Sequence, residues 1–244
     1  MTVVPNDDAK YWVGFSHVPF VGPQRLKRLI DRFGNLRDAW MADVASLRQV
    51  LDERAVDSLV KTRSSLSLDD EMALLARSNI SVLTWVDEAY PRLLAEISAP
   101  PPVLYVKGTL LPEDAIAVGV VGTRRCTSYG RAVAKQLVGE LAEAGVTIIS
   151  GLALGIDGCA HQAALDARGR TIAVLGCGVN VVYPWQHRNL AAQIVEHGAL
   201  VSDYPPDTKP EGTNFPARNR IISGLSLGVL VIEAPAKSGA RQYA

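Results

Sequence analysis

Over the first 80 residues, apolar positions recur at helical spacing. Leu26, Leu29, Ile30 and Phe33 lie three or four residues apart, which sets them on one face of a helix. Few strand-like runs interrupt this stretch, so residues 1–80 are expected to form a helical N-terminal domain. Asn79 to Leu83 reads as a short strand. Pro91 and the triplet Pro100, Pro101 and Pro102 follow, and these cannot occupy a helix interior. Residues 81–111 are therefore expected to be an extended, Pro-rich connection. From there the pattern alternates. Apolar runs at Ala115 to Val121, Val146 to Ile149, Thr171 to Leu175, Ala199 to Ser202 and Val229 to Ile232 predict strands. Helical periodicity fills the gaps at Ser128 to Glu143, Asp157 to Ala167, Gln186 to Glu196 and Arg218 to Leu225. Strands that are apolar throughout and separated by helices imply a mainly parallel sheet covered on both faces. The expected fold class is α/β, a doubly wound sheet over residues 112–244.

Composition narrows the function classes. Hydrophobic residues make up 48% of the 244 and charged residues 20%, an ordinary globular balance that excludes wholesale disorder. Lys plus Arg number 25, as do Asp plus Glu, so any anion or nucleic-acid site must be a local patch. No long uncharged apolar run predicts a membrane span, and Met1 to Lys10 lacks an apolar signal core. A cytoplasmic protein with no membrane contact is expected. Three cysteines, Cys126, Cys159 and Cys177, lack close pairing, which argues for reduced thiols and against a structural metal site. No cofactor is expected.

In open parallel sheets, ligands bind at the carboxyl ends of the strands, so the turns after strands carry the chemistry. The first turn is Gly122-Thr123-Arg124-Arg125-Cys126-Thr127-Ser128. It enters a helix, so backbone N–H groups and a positive helix end face any phosphate there. Thr127 or Ser128 can cap that helix, and two arginines can fork onto phosphate or stack on a base. The competing reading is a tight turn with solvated arginines. The turn carries neither a dinucleotide fingerprint nor a P-loop. The second turn, Ser150 to Asp157, has Gly151 and Gly155 for close approach of a ligand. His161 follows one helical turn later, where a packed core histidine and a general base are both conceivable. The third turn, Gly176-Cys177-Gly178, precedes Tyr183-Pro184 and reads as either a structural turn or a ligand wall.

The fourth segment runs from Lys209 through Asn214-Phe215-Pro216-Ala217-Arg218-Asn219-Arg220. An aromatic beside arginines and an asparagine combines a stacking surface with phosphate donors, a recipe for single-stranded nucleic acid. The alternative is a core Phe215 with Arg218 and Arg220 paired to acids. Lys237 and Ser238 close the series as anion-capable residues after a strand that ends at Glu233. In the N-terminal part, Val21-Gly22-Pro23 before a basic helix is similar to a helix-hairpin-helix turn, but the match is short and a purely structural helical bundle is the favoured reading. No Ser–His–Asp set, paired carboxylate motif or Walker lysine is present, so the residues favour binding over catalysis.

Several of these motifs are shared with one family. The run Tyr90-Pro91-Arg92-Leu93-Leu94 through Pro101 to Gly108 resembles the entry segment of the DprA (Smf) DNA-processing family. So do Gly122-Thr123-Arg124 with Tyr129-Gly130, Ser150-Gly151 with Gly155-Ile156-Asp157 and Ala160-His161, and Phe215-Pro216 with Arg218-Asn219-Arg220-Ile221-Ile222. The resemblance covers roughly residues 85–239. It implies an extended Rossmann-like fold preceded by a sterile-alpha-motif-like helical domain. It also implies a non-enzymatic protein that binds single-stranded DNA in natural transformation, protecting incoming strands and helping to load RecA. Carried over by motif, the DNA contacts would be Gly122, Thr123, Arg124, Arg125, Thr127, Gly151, Gly155, Lys209, Phe215, Arg218, Asn219, Arg220, Lys237 and Ser238. Gly212 stands where family members often carry a lysine before the Phe-Pro pair. The chain also departs from the family pattern after Ser238-Gly239, from which a C-terminally incomplete domain and a weakened homodimer are expected. The competing function is a Rossmann-like nucleotide enzyme such as a phosphoribohydrolase, which would need a phosphate loop with a catalytic acid; Glu233 ends a strand, but no Gly-Gly-x-Gly-Thr run precedes a helix.

Overall fold

The computed structural model describes residues 8–234. Six helices come first: α1 (Ala9–Ser16), α2 (Pro23–Phe33), α3 (Leu36–Met41), α4 (Val44–Leu47), α5 (Glu53–Ser65) and α6 (Leu68–Arg77). Local chemistry explains their limits. Pro23 opens α2, where a missing N–H is harmless, and Gly34 closes it at φ 85°. The side chains of Asn35, Asp43, Asp52 and Ser67 accept from backbone N–H groups at the starts of α3, α4, α5 and α6. Strand β1 (Ile80–Thr84), α7 (Arg92–Ala95) and β2 (Val103–Gly108) follow. Then come β3 (Ala117–Gly122), α8 (Ser128–Glu143), β4 (Thr147–Ser150), α9 (Ile156–Asp166), β5 (Thr171–Val174), α10 (Arg188–His197), β6 (Gly198–Ser202), α11 (Asn214–Gly224) and β7 (Gly228–Ile232).

The seven strands form one sheet in the order β1-β2-β6-β5-β4-β3-β7. Pairings from β6 across to β7 are parallel, while β1–β2 and β2–β6 are antiparallel. Strands β4, β5 and β6 are buried at every position, as expected of a parallel sheet covered on both sides. Alternate residues feed two cores. Val120, Ile148 and Leu200 pack toward α8, α9 and α10, while Val121, Ile149, Ile172 and Val201 pack toward α7 and α11.

Two expectations change. Residues 81–111 are more than a connection, because β1 and β2 extend the sheet from within them. The prolines stop just before Val103, so β2 keeps the N–H groups its ladder needs. Helix α11 begins at Asn214 rather than Arg218, because Pro216 lies in its first turn, where no intrahelical donor is lost. The N-terminal helices share their core with the sheet: Phe15, Leu29 and Leu59 cluster with Ile80, Val103 and Tyr105. The Tyr105 hydroxyl meets Ser16 Oγ at 2.7 Å.

Candidate nucleic-acid interface

The turn after β3 and the turn after β4 are built against each other. Ile156 N–H donates to Thr123 O at 3.2 Å, fixing the start of α9 on the first turn. Gly155 stands at φ 84°, and a Cβ there would collide with the Thr123 and Arg124 backbone. Thr127 is the N-cap of α8, its Oγ1 accepting from Gly130 N–H at 3.1 Å. Gly122 ends β3. Arg124 and Arg125 both project into solvent, and Arg125 N–H donates to Thr123 Oγ1 at 3.1 Å.

An aromatic platform completes this edge. The Arg124 guanidinium lies 5.7 Å from the centre of the Phe215 ring. Tyr183, 46% exposed, stacks obliquely on Phe215 with centroids 5.5 Å apart and planes 31° apart. Gly176 leaves room for the Phe215 ring, so the third turn is a wall of the same site. Segments separated by up to about ninety residues of chain thus meet at the carboxyl ends of the strands, a guanidinium above one ring and a half-open ring beside it. That arrangement can stack unpaired bases and neutralise their phosphates.

Other candidates are used internally. Arg218 is 4% exposed. Its guanidinium donates to Gly151 O at 2.9 Å and also bonds Val174 O. Its charge also acts on Asp157, whose carboxyl burial pushes up from the ordinary range while Arg218 pulls it back down. Arg218 is therefore a strut between the second turn and α11. Gly151 is buried against that guanidinium, where a Cβ would collide with it. Arg220 is half-buried and spoken for as well, bonding Asp203 at 2.8 Å and Ala99 O at 3.0 Å. Asn219 is half-buried and Lys209 exposed. Lys237 and Ser238 lie outside the described residues.

His161 is fully buried, with Nδ1 against Thr171 Oγ1 at 2.7 Å. Desolvation, helped by His187 and Arg218, drives its pKa down to about 3, so it is a neutral packed histidine and no general base. Glu233 does something the sequence reading did not anticipate. Its carboxylate accepts from Thr127 N–H at 2.8 Å and also bonds Thr127 Oγ1, across the start of α8. Those bonds hold its pKa below the ordinary carboxylate value. The helix end expected to face a phosphate is thus already faced by this protein's own carboxylate. The signal available was an acid at a strand end beside a helix-opening turn.

The family model for DNA recombination-mediator protein A matches residues 81–244. The chain belongs to that family. It is 44% identical over 241 residues to Protein Smf of Synechocystis, a match covering 96% of this chain and 61% of that relative. To the DNA processing protein DprA of Bacillus subtilis it is 44% identical over 170 residues, covering 69% of this chain and 57% of the relative. The chain thus spans about three fifths of these family members. The X-ray structure of DprA from Streptococcus pneumoniae superposes with a TM-score of 0.79 at 31% identity, covering 95% of this chain and 80% of that one. That match confirms the α/β fold class. A second family structure, DNA processing protein A from Helicobacter pylori, concerns a single-stranded DNA binding mode. It gives a TM-score of 0.60 at 34% identity, covering 66% of this chain and 72% of that one. Among the described residues no helix is long and apolar enough to cross a membrane.

Proposed function

We propose that this protein binds single-stranded DNA at the carboxyl edge of its sheet and acts in DNA processing during natural transformation. The observation that carries the reading is the stack of exposed Arg124 and Tyr183 on half-buried Phe215 at the edge where such folds take ligands. Arg124, Arg125, Thr123 and Lys209 supply phosphate donors, Phe215 supplies a stacking face, and Gly122, Gly151 and Gly155 let the turns approach one another. Asn219 contributes at the rim, while Thr127 caps α8 and holds Glu233. Arg218 and Arg220 act from behind, by holding α11 and its Phe215 in place. The work of the full family member, namely protection of incoming strands, delivery to RecA, a cytoplasmic setting and a homodimer, belongs to the same proposal.

The phosphoribohydrolase alternative has less support. Glu233, the acid just past β7, is engaged at the start of α8, and His161 is buried and neutral. The deciding experiment is fluorescence anisotropy with an oligo-dT strand, a matched duplex and a nucleoside monophosphate at equal salt. Tight binding of the strand alone supports the proposal. Equal affinity for duplex overturns it, and turnover of the monophosphate establishes the enzyme.

A further inference from the structure

Behind Arg124, on the face of the sheet covered by α8, α9 and α10, the structure holds an open cleft of about 680 Å³. This is large enough for a small-molecule or nucleotide ligand. Three arginines reach its lining, Arg124, Arg125 and Arg131. The lining also carries the amides of Gln162, Gln186, Asn189 and Gln193 and the His187 ring. Leu190, Cys126 and Cys159 provide apolar wall. Among the described residues the lining holds no carboxylate. The arginines therefore present positive charge to the cleft, tempered at Arg131 by the field of Glu233 just outside the lining. Arg131 is steadied by its bond to Cys126 O at 2.8 Å, and Gln162 by its bond to Asp166 at 2.8 Å.

Cationic forks, amides and apolar side chains around one cleft match the parts of one nucleotide. The forks suit a phosphate, amides can pair with base edges, and the apolar side chains can cover a ring. Arg124 belongs to both places, above Phe215 and at the mouth of the cleft. Trp185, 63% exposed, precedes Gln186 and carries the Arg188 guanidinium 4.8 Å from its ring centre.

We propose that this cleft is a second subsite for the DNA strand. The backbone crosses over Arg124 and one nucleotide, splayed from its neighbours, enters between α8 and α10. The inference rests on the single-strand reading above and extends it to a face of the sheet that reading does not use.

The two cleft cysteines allow a test by position. N-ethylmaleimide modification of Cys126 and Cys159 in the full chain is followed by mass spectrometry, with and without saturating oligo-dT, while anisotropy confirms that the strand is bound. Buried Cys177 serves as the internal control. The expected result is alkylation slowed about fivefold or more at both cleft cysteines, the scale of a specific nucleotide contact. A Gln186→Ala/Gln193→Ala double variant, exposed at both positions, should melt normally yet lose about fivefold in strand affinity. A strand that binds while alkylation or the variant's affinity is unchanged overturns the subsite and leaves the primary site standing. Equal protection by millimolar inorganic phosphate also overturns it, marking a simple anion hole. Failure of the strand to bind at all removes the single-strand reading and the subsite together.

Discussion

Arg124 and Arg218 are the same residue type with opposite duties. Arg124 is exposed above a ring, so Arg124→Ala should leave melting unchanged and weaken oligo-dT binding by about 1–3 kcal/mol, the range for a stacking or charge-assisted contact. Anisotropy titration beside a thermal melt checks both halves. Arg218 is buried and bonds Gly151 O and Val174 O, and leaving a buried polar partner unpaired costs about 1–3 kcal/mol. Arg218→Ala should therefore lose stability first, seen as a lower denaturation midpoint. The distinction was partly legible. Arg218 stands at i to Ile221, Ile222 and Leu225, which are i+3, i+4 and i+7, and so shares the buried face of α11. What the sequence could not supply is the partner, a carbonyl at Gly151 far along the chain. His161 adds a pH prediction. Its unfolded imidazole takes up a proton near pH 6.5, the buried one only near 3. Between those values the unfolded state binds more protons, so stability falls as pH drops through that window. Melting curves from pH 6.5 downward should show a shallower slope in His161→Asn.

At the scale of elements, β7 and α8 are joined by one carboxylate. Glu233, at φ 50° just past β7, places its oxygens on the Thr127 N–H and hydroxyl. A negative charge at a helix start stabilises the helix, yet here it also opposes the phosphate that Arg124 and Arg125 would attract. Glu233→Gln should lower the melting temperature slightly and raise affinity for oligo-dT, measured in the same titration. Unchanged affinity would mean that the strand never nears the start of α8. The parallel strands were legible because full burial leaves an unbroken apolar run, as in β4 and β5. Strand β2 was not, because its prolines advertise a break and its partners, β1 and β6, are antiparallel neighbours far apart in the chain. The cleft was illegible for a related reason. Gln162 and Gln193 lie on α9 and α10 and Gln186 just before α10, all as ordinary exposed residues, and only packing brings them to one lining with Arg131.

For the molecule as a whole, balanced charge limits what can draw DNA from a distance, so affinity must come from contact. Exposed Arg124, Arg125 and Lys209 would neutralise about three phosphates, which gives a slope near −2 in log affinity against log salt for a single strand. A slope near zero would remove the phosphate contacts, and a much steeper one would mean that further cations join. The sharing of Tyr105 and Val103 between the sheet and the N-terminal helices carries a different consequence. Had the helices and the sheet each closed a separate interior, the helices could open alone, and their amides would exchange with deuterium long before those of β4 and β5. With Tyr105 fully enclosed and its hydroxyl on Ser16, opening either part strips the other of its lining. Amides of α1 and β2 should then exchange at matching rates, and calorimetry should record one heat-absorption peak whose van't Hoff and calorimetric enthalpies agree.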